Sequence, residues 1–146
     1  MRMSTKGRYA VRAMVELAAE TGSRPATSGK IARLQGLSQK YVEQLLTALK
    51  RAKLVRSVLG PRGGYVLTRD PSKINVLDVV EATEGAITFS ECVDDPDECG
   101  RSRRCPVRSL WRRAGKAAGD VLRGTSLRQL AEQSVSGRRS ARGRRG

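Results

Sequence analysis

Apolar and polar residues follow the period of an α-helix from the beginning of the chain. A first amphipathic helix is predicted over residues 5–20, and its apolar face consists of Tyr9, Ala10, Ala13, Met14, Leu17 and Ala18. Gly22 and Pro25 interrupt this pattern. Thr27 or Ser28 can then cap a short second helix, because hydroxyl side chains accept hydrogen bonds from the free N–H groups of a first helical turn.

A third helix is predicted after a tight turn at Gly36. Ser38 can cap it, and its apolar face consists of Val42, Leu45, Leu46, Leu49 and Ala52. The opposite face is polar and basic, with Gln39, Lys40, Glu43, Gln44, Thr47, Lys50 and Arg51. Two helices joined by such a turn indicate a helix-turn-helix.

A β-hairpin is predicted directly after these helices. The β-branched runs LVRSV (54–58) and YVLT (65–68) flank the segment LGPRGG, whose glycines and proline are typical of a hairpin tip. A helix-turn-helix followed by a hairpin is a winged helix, so we expect a mainly α fold with a small β wing. Arg56 on the first strand and Arg62 at the tip can reach a phosphate or a minor groove.

The second half of the chain is predicted to contain a helix, a loop and a long helix. The pattern INVLDVVEATE predicts the first of these helices, which stops at Gly85. Residues 85–105 read as an irregular loop, and Pro106 opens the long helix. Its apolar stripe comprises Val107, Leu110, Trp111, Ala114, Ala117, Ala118, Val121 and Leu122. The small residues Gly115, Ala118 and Gly119 favour close packing against a second copy, so we expect a homodimer.

These segments predict four regions. Residues 1–84 are expected to form the winged helix-turn-helix, and residues 85–105 the cysteine loop. Residues 106–135 are expected to hold the dimerisation helix and a last short helix capped by Thr125 or Ser126. Residues 136–146 are expected to be a disordered basic tail, because they offer almost no apolar side chain to bury.

The charge is strongly asymmetric along the 146 residues. Residues 1–75 carry 15 Lys or Arg against 4 Asp or Glu, residues 76–136 carry 9 against 10, and residues 137–146 carry five Arg, which gives the net +15. A basic first half favours a polyanionic partner, because basic side chains displace counterions from phosphates. No apolar run approaches the roughly 20 residues of a membrane span, so we expect a cytoplasmic protein without membrane contact.

All three cysteines lie in the segment ECVDDPDECGRSRRC. Cys92, Cys99 and Cys105 have Cys-x6-Cys-x5-Cys spacing, without a fourth cysteine or any histidine in the chain. This pattern disfavours structural zinc, whereas three thiolates in one loop suit an iron-sulfur cluster. The fourth ligand would be a carboxylate, another oxygen, an external thiol or a group of the partner subunit; Glu91, Asp94, Asp95, Asp97 and Glu98 are the local carboxylate candidates.

Other functional classes have less support. GPRGGY lacks the Gly-Lys-Ser/Thr ending of a nucleotide-binding loop, and no residues form a recognisable general-base constellation, so neither an enzyme nor a small-molecule substrate is expected. One alternative is a cluster-free DNA-binding regulator whose cysteines sense redox state. A second is a basic RNA-binding protein, against which the scarcity of aromatic residues argues.

The order of these motifs resembles the IscR/NsrR/RirA, or Rrf-type, family of winged-helix regulators. The resemblance rests on MRMSTKGRYAVRAMVELA, IARLQGLSQKYVEQLLTALKRAKLV, GPRGGYVL, the three cysteines and LW, and it covers about residues 1–133. It implies a dimeric transcription factor that binds a double-stranded DNA operator and senses iron, redox state or nitric oxide through an iron-sulfur cluster.

The resemblance also implies roles for individual residues. The cluster ligands would be Cys92, Cys99 and Cys105. Base contacts would come from Ser38, Gln39, Tyr41, Glu43 and Gln44, and contacts to phosphates or the minor groove from Lys40, Lys50, Arg56 and Arg62. Family members with a 2Fe-2S cluster use a histidine shortly after the third cysteine, which is absent from CPVRSLW here. The NsrR-like carboxylate near the start of the first helix is replaced by Arg8. The pattern is therefore most similar to RirA, and 4Fe-4S is preferred over 2Fe-2S, with an unknown fourth ligand.

Overall fold

The computed structural model describes residues 2–20 and 24–144, which contain seven α-helices and one two-stranded antiparallel sheet. The helices are α1 (Thr5–Ala19), α2 (Ser28–Gln35), α3 (Gln39–Arg51), α4 (Val76–Glu84), α5 (Glu91–Asp94), α6 (Pro106–Arg123) and α7 (Leu127–Gly143). The strands are β1 (Val55–Val58) and β2 (Gly64–Leu67), and single 3-10 turns lie at Pro71–Lys73, Pro96–Glu98 and Ser102–Arg104. The expected mainly helical fold with a small hairpin is confirmed. Gly22, predicted to interrupt the first helix, lies outside the described residues.

Side-chain caps set the beginnings of the helices in the helix-turn-helix. Thr27, rather than Ser28, caps α2 by accepting the Lys30 N–H at 3.1 Å. Gly36 ends that helix with φ of 65°, a backbone conformation that suits glycine. Ser38 then caps α3 by accepting the Tyr41 N–H at 3.2 Å. The turn therefore fixes the direction in which α3 leaves α2.

One hydrophobic core holds α1, α3, the hairpin and α7 together. Its fully buried side chains include Ala10, Ala13, Met14, Ile31, Val42, Leu45, Leu46, Leu49, Ile74, Val79 and Leu127. Burial of a large aliphatic side chain contributes about 1.5–3 kcal/mol, so the core that packs against Val42, Leu45, Leu46 and Leu49 holds α3 in place. The polar face of α3 is left exposed.

The hairpin forms a wing that is joined to the helical body by a third strand-like segment. Strands β1 and β2 pair from Val55↔Leu67 to Val58↔Gly64, and Ala26 makes an antiparallel bridge to Tyr65 on the other edge of β2. The Ala26 N–H donates to the Tyr65 carbonyl at 3.0 Å, and the Tyr65 N–H donates back at 2.8 Å. A side chain at Gly64 would meet the Ala26 carbonyl oxygen at 2.6 Å, so this approach requires glycine.

The last helix corrects the predicted end of the chain. The disorder predicted for residues 136–146 is wrong for residues 136–143, because α7 runs to Gly143; Arg145 and Gly146 lie outside the described residues. Ser126 caps α7 with Gln129 in a capping box, and Leu127 is 0% exposed in the core. Because α7 packs on α1, it belongs with the winged-helix unit rather than with α6.

Helix α6 also differs from the expectation in one respect. Gly115 and Gly119 are buried within this chain, where α6 packs on α4 and on the segment around Ile87 and Phe89. A side chain at Gly115 would meet the Ile87 carbonyl oxygen at 3.3 Å. Gly115 therefore serves packing within the subunit, whereas a side chain at Gly119 would meet no atom within 4 Å. The segment predicted as an irregular loop contains the short α5 and two 3-10 turns.

Candidate nucleic-acid interface and cysteine loop

The polar face of α3 is ordered by a small hydrogen-bond network at its first turns. The buried Ser28 hydroxyl donates to Glu43 Oε1 at 3.0 Å. Gln39 Nε2 donates to Ser28 Oγ and to Glu43 Oε1, both at 3.2 Å. The first turn of α2 thus restricts the rotamers of two predicted base-contacting residues. Ser28 is a positioning residue, whereas the sequence pattern suggested only a possible cap.

The other predicted α3 residues have different surroundings. Lys40 and Gln44 are exposed on the same surface. Tyr41 is half-buried, and its ring packs edge-on against Tyr9 of α1 with centroids 6.2 Å apart. Arg12 lies 5.1 Å from the Tyr9 ring centroid, an attractive distance for a cation and an aromatic face. Tyr41 therefore has a packing role, and its base contact stays a prediction.

The wing is tied to the last turn of α3. Lys50 Nζ donates to the Ser57 hydroxyl on β1 at 3.0 Å. Arg62 is exposed at the tip, next to Gly60 with φ of 102°, and Leu59 is 93% exposed there. The Lys50–Ser57 hydrogen bond links the wing to the last turns of α3. Ser57 was missed from the sequence because its partner on α3 is not local.

Arg56 lies on a different surface from Ser57. Successive strand residues point to opposite sides, so Arg56 faces away from the side chain that meets Lys50. It lines a cavity of about 400 Å³ between the end of α1, the wing and the start of α7; the charged residues of its lining are Glu20, Arg24, Arg56, Arg69, Asp70 and Arg128. The structure therefore does not place Arg56 beside Lys50, and its phosphate contact stays a prediction.

Asp70 and Arg128 link this cavity to α7. Arg128 Nη2 donates to the two carboxylate oxygens of Asp70 at 2.7 and 2.9 Å. Together with hydrogen bonds from the Ser72 side chain and backbone, this interaction holds the pKa of Asp70 well below the ordinary aspartate value. The same contact raises the pKa of Arg128. The pair links α7 to the segment that follows the wing.

The three cysteines lie at three points of the segment between α4 and α6. Cys92 is half-buried on α5, Cys99 is exposed after the Pro96–Glu98 turn, and Cys105 is half-buried at the N-cap of α6. All three are free thiols. The Ser90 hydroxyl lies 3.2 Å from the Cys92 sulfur. Backbone N–H groups and side chains within the segment, rather than a packed core, give it shape.

Arg108 connects the first cysteine to the helix that follows the third. Its Nε donates to the Cys92 carbonyl at 2.5 Å, and its Nη2 donates to the Val93 carbonyl at 3.1 Å. The buried Ser102 hydroxyl donates to the Pro96 carbonyl, and the Ser102 N–H donates to the Cys99 carbonyl at 2.9 Å. Neither Ser102 nor Arg108 was predicted, although Arg108 stands in CPVRSLW, shortly after the third cysteine.

The described residues do not gather a metal site. Across residues 2–20 and 24–144, cysteine, aspartate and glutamate side chains form no group of three or more that could hold a metal ion. Asp95 instead caps the 3-10 turn by accepting the Asp97 N–H at 3.0 Å, and Asp97 pairs with Arg103 at 3.5 Å. The ligand set predicted from Cys92, Cys99 and Cys105 is thus not converged in this conformation.

Comparisons with known proteins identify the family of this fold. The profile of the Rrf2 family, described as iron-dependent transcriptional regulators, matches residues 3–133. The chain belongs to the Rrf2 family. Its relatives are named transcriptional regulators and not enzymes, in agreement with the expectation from sequence.

Two groups of Rrf2 relatives are similar to this chain to nearly the same degree. The regulator CymR of Bacillus subtilis is 39% identical over 131 residues, 90% of each chain. The regulator IscR of Vibrio cholerae is 36% identical over 130 residues, 89% of this chain and 75% of its own. The expected resemblance is confirmed, and it extends to a CymR group that the sequence motifs did not single out.

Solved structures give the same result. The structure of CymR, titled the global cysteine regulator of B. subtilis, has a TM-score of 0.75 and 38% identity, covering 91% of this chain and 98% of that one. IscR of T. potens also has a TM-score of 0.75, with 35% identity, covering 92% of this chain and 88% of that one. The winged-helix fold of the Rrf2 regulators is therefore the fold of this chain. None of its described helices has the length and apolar character needed to cross a membrane.

Proposed function

We propose that this Rrf2 protein is a homodimer that binds operator DNA and regulates transcription. The observation that carries the proposal is the joint surface of α3 and the wing. The exposed side chains of Lys40 and Gln44 and the ordered pair Gln39 and Glu43 lie on one helix, and the Lys50–Ser57 hydrogen bond ties the wing to it. An α-helix fits the major groove, where base edges differ in donors and acceptors. Arg62 at the tip would contact the adjacent minor groove or a phosphate.

The dimer would form through α6. Its stripe leaves large apolar side chains in solvent within this subunit: Val107, Leu110, Trp111 and Val121 are all exposed, the last at 69%. The opposite side of the helix is covered by α4 and the Ile87–Phe89 segment. Exposed apolar stripes of this kind mark protein interfaces, and a C2 dimer would present two copies of α3 to two operator half-sites.

We propose that the segment from Cys92 to Cys105 is the sensor, and that it carries an iron-sulfur cluster, with 4Fe-4S preferred. The support is the thiol content of the segment and the iron-dependent description of the Rrf2 family. The present conformation does not bring the three sulfurs together as a ligand set. Cluster binding would therefore have to rearrange the segment that Arg108 and Ser102 now hold.

A second candidate is direct sensing by the thiols. It is favoured by the free and unconverged cysteines, with Cys99 exposed, and by the similarity to a regulator described in its oxidised form, CymR of Staphylococcus aureus, with 36% identity and a TM-score of 0.71. Reversible oxidation requires an accessible thiol, and Cys99 meets that requirement. Absorbance of anaerobically isolated protein, with iron and sulfide analysis, separates the two sensors, because thiols alone give no visible charge-transfer bands.

The DNA-binding proposal is tested by selection from a random pool of duplex DNA. The reduced, full-length protein should enrich a sequence with two-fold symmetry, and a variant with Gln44→Ala and Arg62→Ala should enrich it much less. Recovery of unrelated sequences in every round would contradict the proposal. A pool of structured RNA offered in parallel tests the RNA-binding alternative. Binding to an operator on the chromosome would also agree with the cytoplasmic location that the sequence predicts.

A further inference from the structure

The end of α7 is a basic helical segment that is tied to α1. Arg138 Nη2 donates to both carboxylate oxygens of Glu16 on α1, at 2.7 and 2.8 Å. Glu16 is only 9% exposed, and it also accepts a hydrogen bond from Gln35 Nε2 at 2.8 Å. A buried carboxylate requires such partners, so this contact fixes the end of α7 against both α1 and α2.

The contact leaves three further arginines of this segment in solvent. Arg139, Arg142 and Arg144, hereafter the arginine arm, are all exposed. In the described part of the chain, no carboxylate lies within ion-pair distance of any of them. The close sequence spacing of these like charges is electrostatically unfavourable for the free protein. A bound polyanion would relieve that repulsion.

Arg142 of the arginine arm lies beside the helix-turn-helix, whereas Arg139 lines a different groove with Ala18 and Pro71. Arg138 and Arg142 line a groove of about 750 Å³ together with Arg12 of α1 and with Leu34 and Gln35, the last two residues of α2. Ser38, the N-cap of α3, follows Gln35 by three residues. Three residues of extended chain span at most about 11 Å, so the groove lies close to the end of α3 that is predicted to contact bases.

We propose that the arginine arm binds the DNA backbone next to the segment contacted by α3. This inference rests on the proposed function and extends it. The proposed ligand of the arm is the row of phosphates on the duplex DNA that flanks the operator half-site. Arginine suits this partner because its guanidinium donates bidentate hydrogen bonds to phosphate oxygens. Phosphate contacts add affinity without sequence information, so the arm would strengthen binding to any flanking sequence.

The test is the salt dependence of duplex binding by the full-length protein. The triple variant Arg139→Gln, Arg142→Gln, Arg144→Gln is compared with the wild type on two duplexes, one limited to the enriched sequence and one extended on both sides. On the extended duplex, the slope of log K against log salt should become shallower by about 0.9 for each phosphate that the variant no longer neutralises. On the limited duplex, the two proteins should differ less.

A matched control removes the same charge elsewhere. The variant Arg112→Gln, Arg113→Gln, Lys116→Gln changes three exposed cations of α6 that lie off its apolar stripe. It should keep the wild-type slope on both duplexes. An unchanged slope in the α7 variant, or an equal change in the control, overturns the inference. A wild-type protein that shows no preference for the enriched sequence overturns the proposed function itself, so the two failures are distinguishable.

Discussion

Arg108 of α6 and Cys92 of α5 are joined by a hydrogen bond of 2.5 Å from the guanidinium Nε to the backbone oxygen of the cysteine. With the second bond to Val93, this interaction holds the short helix of the first cysteine against the helix that begins after the third. Arg108 is therefore the link between the cysteine segment and α6.

Removal of the Arg108 guanidinium should expose the first cysteine. In Arg108→Ala, the Cys92 and Val93 carbonyls no longer have this donor, so α5 should detach from α6. Alkylation of Cys92 should become several-fold faster, whereas Cys99, which is already exposed, should react at its wild-type rate. Mass spectrometry after timed alkylation measures both rates in one sample. Arg112→Ala, one turn further along α6, is the control, and equal Cys92 rates in all three proteins would contradict the role of Arg108.

Charge on the apolar stripe of α6 should separate the subunits. Leu110→Glu places a carboxylate in the proposed interface, where burial of an unpaired charge costs several kcal/mol. Analytical ultracentrifugation should show a monomer with the circular dichroism of the folded wild type. Operator affinity should fall by about 100-fold or more, because the two half-sites are then bound independently. Lys116→Glu on the other side of α6 should stay dimeric, and a dimeric Leu110→Glu protein would rule out this interface.

Gln44 should contribute base discrimination and not general affinity. It is exposed on α3 and can reach a base edge with an amide that donates and accepts. Gln44→Ala should lower the affinity for the enriched sequence by about 1–3 kcal/mol and leave the affinity for scrambled duplex unchanged.

Arg62→Ala, a substitution in the wing, should lower general affinity, in contrast to Gln44→Ala. It should weaken binding to both duplexes and make the salt slope shallower by about 0.9, as expected when one phosphate is no longer neutralised. Fluorescence anisotropy at several salt concentrations measures both variants. A Gln44→Ala protein that weakens equally on both duplexes would argue against base contact by this residue.

The Glu16–Arg138 pair should stabilise the end of α7. In Glu16→Gln, the carboxylate that accepts two bonds from Arg138 is removed, so the free energy of unfolding should fall by about 1–3 kcal/mol. Amide hydrogen exchange should accelerate in the last two turns of α7. Glu132→Gln changes an exposed acid on the same helix and should leave both quantities unchanged. Wild-type exchange in Glu16→Gln would show that other contacts hold this helix end.

Asp70 should make stability depend on pH in the acid range. Its pKa is lowered in the folded state by Arg128, so its contribution is fully present above the ordinary aspartate value of about 3.9 and is lost as the pH falls towards the folded-state value. The melting temperature of the wild type should therefore exceed that of Asp70→Asn at pH 7, and the difference should narrow below about pH 4. Asp97→Asn, whose partner Arg103 is exposed, is the control. A difference that widens in acid would contradict the assignment.

Sequence patterns predicted the winged helix well because its signals are local. The caps at Ser38 and Ser126 and the glycines of the wing act within a few residues of their position. The end of α7 was mispredicted because its stability depends on Glu16, which is 122 residues away and buried by tertiary packing. Without that contact, the arginine-rich composition of the segment predicts disorder.

The residues of the candidate site divide in the same way. The polar face of α3 follows from helical periodicity, so the exposure of Lys40 and Gln44 could be predicted. Ser28 and Ser57 could not, because each acts on an α3 side chain through a contact between different elements. Gly115 of α6 was assigned to the wrong partner, since small residues favour close packing without indicating which element approaches. The cysteine spacing limits the chemistry of the loop but does not specify its conformation.

The most direct test of the central claim is the specificity ratio of the reduced, full-length dimer at one fixed salt concentration. The affinity for the duplex enriched from the random pool is measured beside that for a scrambled duplex of equal length and composition. A regulator that reads bases through α3 should prefer the enriched duplex by about 1,000-fold or more. Equal affinities for the two duplexes would contradict sequence-specific DNA binding by this surface.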